Sequence, residues 1–259
     1  MNAGAAAYSA TGDAWRRGPG RIYDRLAEVL VERAPTPLQG GRLLDVGAGT
    51  GAATRALLAA GAAVVAVDFA LGMLTHGPVD RSPAAVGDAR ALPFAPGSFD
   101  GAVAAFSLNH LADPAAGLRE MARVTRRGGC LLASAYAADD THPVKAAVEG
   151  ALAARGWAPA PWYLSFCDDT APRLATMERA AAAARAAGLD AVTETVRVTF
   201  VDLTPTDLVE WRLGLAQHAP FAAGLAPDDR AAVAADAAGR MGGEVPPLVR
   251  SMVVICSLA

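Results

Sequence analysis

Cysteine is scarce in this 259-residue chain: Cys130, Cys167 and Cys256 are the three present. Their odd number and wide spacing argue against a disulfide framework and against a CxxC metal site, so no metal is expected. Cys130 and Cys256 fall in apolar strand patterns, where a thiol behaves as a small hydrophobe. Basic excess is missing too. The net charge is -3, and Arg126-Arg127 is the densest basic spot, which leaves no electrostatic reason to expect nucleic acid. The N-terminus lacks the charged and apolar regions of a signal peptide. No apolar stretch of about 18 residues demands more than an alanine-rich soluble helix. A soluble, cytoplasmic protein without membrane attachment is the expectation.

What remains is 53% hydrophobic and 19% charged, the balance of a globular chain. Much of the apolar fraction is alanine, so helical propensity is high and core volume per residue modest. The length allows one core with a smaller cap. The chain is organised around Leu43-Leu44-Asp45-Val46-Gly47-Ala48-Gly49-Thr50-Gly51. The apolar start suits a buried parallel strand. Gly47, Gly49 and Gly51 allow a sharp turn and a close backbone approach to a ligand. A helix opening at Ala52 completes a nucleotide-type site at the carboxyl edge of a sheet.

Alternation continues from there. Strands are expected at Val64–Val67, Val86–Ala89, Gly101–Phe106 and Cys130–Tyr136. Helices are expected after Leu71 and from Pro114 to Arg126, where Pro and Gly128-Gly129 stand in favoured end positions. This rhythm predicts a parallel sheet with right-handed crossovers. Beyond Tyr136 the pattern changes. A helix over 143–155, an aromatic loop over 157–166 and a helix over 174–187 precede an alternating strand over 191–201. Helices at 206–217 and 227–239 then lead to a last apolar strand, Arg250–Leu258. Four segments result: an N-terminal lid and helix (1–39), a cofactor-binding core (40–136), a helical cap segment with return helix (137–190), and closing strands (191–259) with a cap insertion at 204–247.

Five marks now occur in order: Asp45-Val46-Gly47-Ala48-Gly49-Thr50-Gly51, Val67-Asp68-Phe69 with Met73-Leu74, Gly87-Asp88-Ala89 with Leu92-Pro93-Phe94, Ser98-Phe99-Asp100, and Arg119–Val124 before Gly128-Gly129. Together they resemble the class I S-adenosylmethionine-dependent methyltransferases, in the small-molecule branch that includes quinone-biosynthesis enzymes. A dinucleotide fingerprint fits less well, because Gly47-x-Gly49 leads to Ala52 and not to a third glycine.

The resemblance implies an α/β, Rossmann-like, doubly wound fold: a mostly parallel seven-stranded sheet whose last strand is antiparallel, with helical cap insertions. It implies S-adenosylmethionine as cofactor and S-adenosylhomocysteine as product. Gly47, Ala48 and Gly49 would bring backbone amides to the methionyl part, and Asp45 would hold the turn and the amino group. Asp68 would accept from both ribose hydroxyls, Phe69 and Met73 would flank the adenine, and Asp88 and Ala89 would read its edge. Phe106 and Ser107 would wall the sulfonium.

The acceptor belongs to the cap, where Trp157, Trp162, Tyr163, Phe166, Trp211 and Phe221 suit a flat or greasy small molecule. Tyr163, Trp211 and His218 are the candidate acceptor contacts, and His110, just after strand four, is the candidate general base. Tyr8 and Trp15 would close the mouth, with Arg21 reaching the cofactor carboxylate. A monomer or homodimer is expected. The competing readings are a non-methylating enzyme on the same scaffold, such as a cyclase, and a non-catalytic cofactor-binding protein.

Overall fold

The computed structural model describes residues 3–76, 82–242 and 245–259; residues 243 and 244 of the expected cap insertion lie outside them. Three helices open the chain, α1 (Ala3–Ser9), α2 (Gly12–Arg17) and α3 (Gly20–Val31). The alternating part follows as β1 (Arg42–Val46), α4 (Ala52–Ala59), β2 (Ala63–Asp68), α5 (Leu71–His76), β3 (Ala84–Val86), β4 (Phe99–Ala105), α6 (Pro114–Val124) and β5 (Thr125–Tyr136). Then come α7 (Val144–Ala153), α8 (Pro161–Ser165), α9 (Met177–Ala186), β6 (Ala191–Phe200), α10 (Pro205–Leu213), α11 (Ala219–Ala223), α12 (Pro227–Met241) and β7 (Leu248–Leu258).

All seven strands join one sheet in the order β3-β2-β1-β4-β5-β7-β6. β1 to β5 pair in parallel, and β7 inserts antiparallel between β5 and β6. This is the expected doubly wound sheet with its last strand reversed. Leu43 to Val46 are buried without a break, as a central parallel strand covered on both faces requires. One core layer joins β1, α3 and α4 to α7, α10 and α12. The other packs α6 and α9 on the opposite face. No helix among the described residues is long and apolar enough to cross a membrane.

Three local differences from expectation have physical causes. β3 stops at Val86, because Asp88 turns its carboxylate onto the Arg90 N–H at 2.8 Å, a local bond that competes with strand pairing. The aromatic segment is a loop over 157–160, as expected, but turns helical from Pro161. Pro161 occupies the first turn of α8, where its missing N–H costs nothing, and wider and tighter turns carry the chain on to Leu174. α9 begins at Met177 because the Thr176 side chain accepts from Arg179 N–H as an N-cap.

The N-terminal segment is folded. A Cβ on Gly72 would strike the Ser9 carbonyl, and one on Gly12 would lie 2.6 Å from the Gly72 carbonyl. Glycine at both positions therefore lets the start of the chain lie directly on α5.

Candidate cofactor and acceptor site

The carboxyl ends of β1, β2, β4 and β5 open into a cavity of about 1180 Å³, roofed by α1, α2 and the segments around α7, α8 and α10. The glycine turn forms its sheet-side wall. Gly47, Gly49 and Gly51 have φ of 69°, 58° and 86°, the left-handed region that glycine enters without strain. Gly47 is doubly constrained, since a Cβ there would overlap Ser107. Ser107 Oγ in turn donates to the Val46 carbonyl at 2.7 Å, locking the ends of β1 and β4 together.

The amides of this turn are occupied within the protein, contrary to expectation. Gly47 and Ala48 N–H both donate to the Val67 carbonyl, at 2.7 and 3.0 Å, and Gly49 N–H donates to Asp68 Oδ2 at 2.7 Å. The second strand ends close enough to absorb them, so these residues offer bare backbone surface and not amide donors. Asp45, Asp68 and Asp88 line this end of the cavity. Asp45 is wholly buried. Its Oδ2 accepts from Thr54 Oγ1 at 2.6 Å, while Oδ1 has no partner among the described residues. Burial pushes its pKa up to about 6, against the lowering effect of Thr54. Asp68 also accepts from Ala70 N–H through Oδ1 at 2.7 Å, and burial outweighs these bonds to raise its pKa.

Phe69 is 43% exposed at the mouth and Met73 is buried behind it. Asp88 is gripped by Arg90 through Nε and Nη2 at 2.6 to 3.1 Å, and this guanidinium lowers its pKa. The pairing with Arg90 had no signal beyond proximity in sequence. Ala89 lines the cavity beside it.

At the end of β4, Phe106 has φ of 55°, the single positive φ outside glycine among the described residues. Such a conformation costs about 1–3 kcal/mol and persists where surrounding structure enforces it, commonly at functional sites. Phe106 packs against Tyr136 at 4.5 Å and Tyr23 at 5.5 Å between ring centroids. His110 follows on a short turn and faces the cavity. Its ring stacks on Phe166 at 4.4 Å and meets Tyr8 edge-on at 5.4 Å. The ring is exposed to the open cavity, and the desolvation it meets beneath the cap lowers its pKa to about 4.

Of the cap residues expected at the acceptor, Tyr163 and Trp211 line the cavity. His218 does not. It is wholly buried, with Nδ1 donating to the Arg212 carbonyl at 2.8 Å and Trp157 packed edge-on at 4.9 Å. Burial pushes its pKa down to about 3, and it is a core histidine. Arg21 also falls away from the site, ion-paired with Asp202 on the surface. Tyr8 and Trp15 do line the cavity.

Several wall residues had no sequence signal that singled them out: Tyr23, Tyr136, Asp140, Glu149, Arg212 and Arg250. Arg250 contacts Asp140 at 2.6 Å and Arg212 contacts Glu149 at 3.3 Å, and each arginine is nearly buried. The clearest available hint was Arg250 itself, a charge at the start of an otherwise apolar strand.

Residues 44–133 match the methyltransferase domain family. The demethylmenaquinone methyltransferase of Mycolicibacterium vanbaalenii is 41% identical over 125 residues, which cover 48% of this chain and 53% of that protein. The chain thus spans about half the length of the curated relatives it matches. Among solved structures, a putative methyltransferase from an antibiotic biosynthesis pathway of Anabaena variabilis superposes with a TM-score of 0.62 at 16% identity, covering 89% of this chain and 96% of that one. The [4+2]-cyclase SpnF gives 0.54 at 20% identity, covering 91% and 81%. These likenesses define the fold. The likeness in sequence is confined to the part of the chain that carries the glycine turn, which is similar to the corresponding part of methyltransferases of the quinone-biosynthesis type.

Proposed function

We propose that this protein transfers a methyl group from S-adenosylmethionine to a small, flat, largely apolar acceptor. One observation carries the reading: a single cavity has the glycine turn with Asp45, Asp68 and Asp88 on one side and the aromatic cap on the other. Its volume exceeds the roughly 300–1,000 Å³ of a pocket for one drug-sized ligand, which supports two occupants. Bound cofactor supplies an electrophilic methyl group on a sulfonium.

The residues present fit that cofactor. Asp45 Oδ1, buried and unpartnered, is the acceptor for its ammonium group. Asp68, whose oxygens each hold one backbone N–H, retains lone pairs for the ribose hydroxyls. Gly47 and Gly49 clear the path between them, and Phe69 and Met73 flank the adenine. Asp88 and Ala89 take its edge, and Phe106 and Ser107 wall the reacting centre. Tyr163, Trp211, Trp162 and Phe166 orient the acceptor and exclude water, the two contributions a displacement needs from its scaffold.

His110 receives the acceptor proton in this reading. Its low pKa makes it a weak base, suited to acceptors whose proton is already acidic. The experiment is incubation with S-adenosylmethionine and a panel of planar hydroxylated aromatics, followed by mass spectrometry. Gain of one methyl group by an acceptor is expected. Conversion without mass gain would favour a cyclase-like reaction, and cofactor binding without any turnover would favour a binding protein.

A further inference from the structure

The acceptor end of the cavity holds a buried arginine, Arg250, whose Nε has no partner among the described residues. Arg250 is 7% exposed and stands near the start of β7. Because β7 runs against its neighbours, its first residues reach the carboxyl edge of the parallel strands. Arg250 sits there just past the Tyr136–Met252 pair that ends the β5–β7 ladder.

Its guanidinium carbon lies 3.9 Å from the Tyr136 ring centroid and 4.7 Å from that of Trp211. Nη2 is 2.6 Å from Asp140 Oδ2, and Asp140 Oδ1 is taken by the Ser251 N–H at 2.7 Å. Among the described residues, Arg250 Nε and Trp211 Nε1 have no partner, whereas the Tyr136 hydroxyl stands beside that of Tyr23. A guanidinium carries five N–H donors in a fork that fits a carboxylate at two points. A purely structural pair would use both points, since buried donors left unmade are costly. Here one carboxylate oxygen engages one nitrogen. With Phe106 packed on Tyr136 at 4.5 Å, a column runs from the strained end of β4 through Tyr136 and Arg250 to Trp211, and all four residues line the cavity.

We propose that Arg250, flanked by Tyr136 and Trp211, anchors an oxygen of the acceptor, and that the acceptor is a planar conjugated compound with an acidic or carbonyl oxygen, of the phenol or enol class. This rests on the methyltransferase reading. The two rings set the acceptor plane. Asp140 holds the guanidinium and cancels its charge while the cavity is empty, so a neutral acceptor enters. As the oxygen becomes anionic, the fixed cation stabilises it without reorganisation. That chemistry suits the weak base at His110.

The test uses two near-isosteric probes, 2-naphthol and 2-methylnaphthalene, in equilibrium dialysis against the full chain saturated with S-adenosylhomocysteine. The wild type is expected to prefer 2-naphthol by about tenfold or more. Arg250→Met is expected to abolish that preference and leave 2-methylnaphthalene affinity within about twofold. Arg250→Lys is expected to restore part of it, because it keeps the charge and loses the planar fork. Arg250→Met leaves a buried carboxylate unpaired, so Arg250→Met/Asp140→Asn is measured alongside, with unchanged S-adenosylhomocysteine affinity reporting an intact fold. Should both Met variants lose that affinity, reduced preference in Arg250→Lys carries the test. No preference in the wild type, or equal preference in wild type and variants, would overturn the anchor. Failure of S-adenosylhomocysteine to bind the wild type would overturn the methyltransferase reading itself.

Discussion

Thr54 Oγ1 donates a 2.6 Å hydrogen bond to Asp45 Oδ2, and both side chains are wholly buried. The bond ties β1 to α4 across the glycine turn and leaves Asp45 Oδ1 as a buried acceptor without a partner. Under the proposed function Asp45 would have two duties, one to Thr54 and one to the cofactor, that a substitution can separate. In Asp45→Asn the amide oxygen can still accept from Thr54 while the charge is gone. Cofactor affinity is expected to fall about tenfold or more, near 1.4 kcal/mol, while Tm at neutral pH is expected to rise, because a buried ionised carboxylate is removed. Calorimetric titration with S-adenosylhomocysteine and a thermal melt check the two parts.

The same residue sets a pH dependence. Its pKa is raised from the ordinary aspartate value to about 6 by burial, so between about 4 and 6 the folded protein holds more protons than the unfolded chain. Asp45 therefore contributes a loss of stability as pH rises through that window, complete above about 6. Cofactor affinity should move oppositely, weakening as pH falls below about 6 because the carboxylate that takes the ammonium group is neutralised. Titrations from pH 5 to 8 check this, and a flat affinity in Asp45→Asn is the expected control.

Gly47 admits no side chain. Its φ of 69° alone costs about 1–2 kcal/mol for alanine, and the new Cβ would also overlap Ser107. Gly47→Ala is expected to lower stability by more than the conformational cost and to abolish cofactor binding. Adding Ser107→Gly should recover the steric part only. Urea denaturation of the single and double variants separates the two contributions.

The turn and the strands around it were legible because their signals are local: an apolar run, alternate glycines and an acid ending the next strand. The far wall of the cavity was legible only in part, through Tyr163 and Trp211. Tyr23, Tyr136, Asp140, Arg212 and Arg250 come singly from α3, β5, the loop after it, α10 and β7, and meet only once the sheet is assembled. His218 shows the converse error. A histidine among cap aromatics reads alike whether it faces a cavity or the core, and only burial tells them apart. The glycine amides were misjudged for a related reason, since their partner is the carbonyl of Val67 on another strand.

His110 faces the open cavity between Tyr8 and Phe166, and desolvation beneath the cap lowers its pKa to about 4. Its contribution to kcat/KM should be constant from neutral pH down to about 5 and decline only near 4, where it protonates. A limb near the ordinary histidine value of about 6.5 would contradict this environment. His110→Ala is expected to slow an oxygen acceptor about 10²-fold and to leave S-adenosylhomocysteine affinity unchanged.

The N-terminal helices close the cavity through a contact that tolerates no Cβ at Gly72. Gly72→Ala should displace α1 and α2, remove Tyr8 from beside His110, and raise KM for the acceptor more than it lowers kcat. Limited proteolysis is expected to cut before Gly20 in the variant faster than in the wild type.

Asp68 offers the most direct test of a cofactor site built on the glycine turn. S-adenosylhomocysteine is titrated calorimetrically into the wild type, Asp68→Ala and His110→Ala. The expected result is saturable binding of one equivalent by the wild type, an affinity loss of about 10²-fold (near 2.7 kcal/mol) in Asp68→Ala, and no loss in His110→Ala. Absence of binding to the wild type, or equal affinities for wild type and Asp68→Ala, would contradict it.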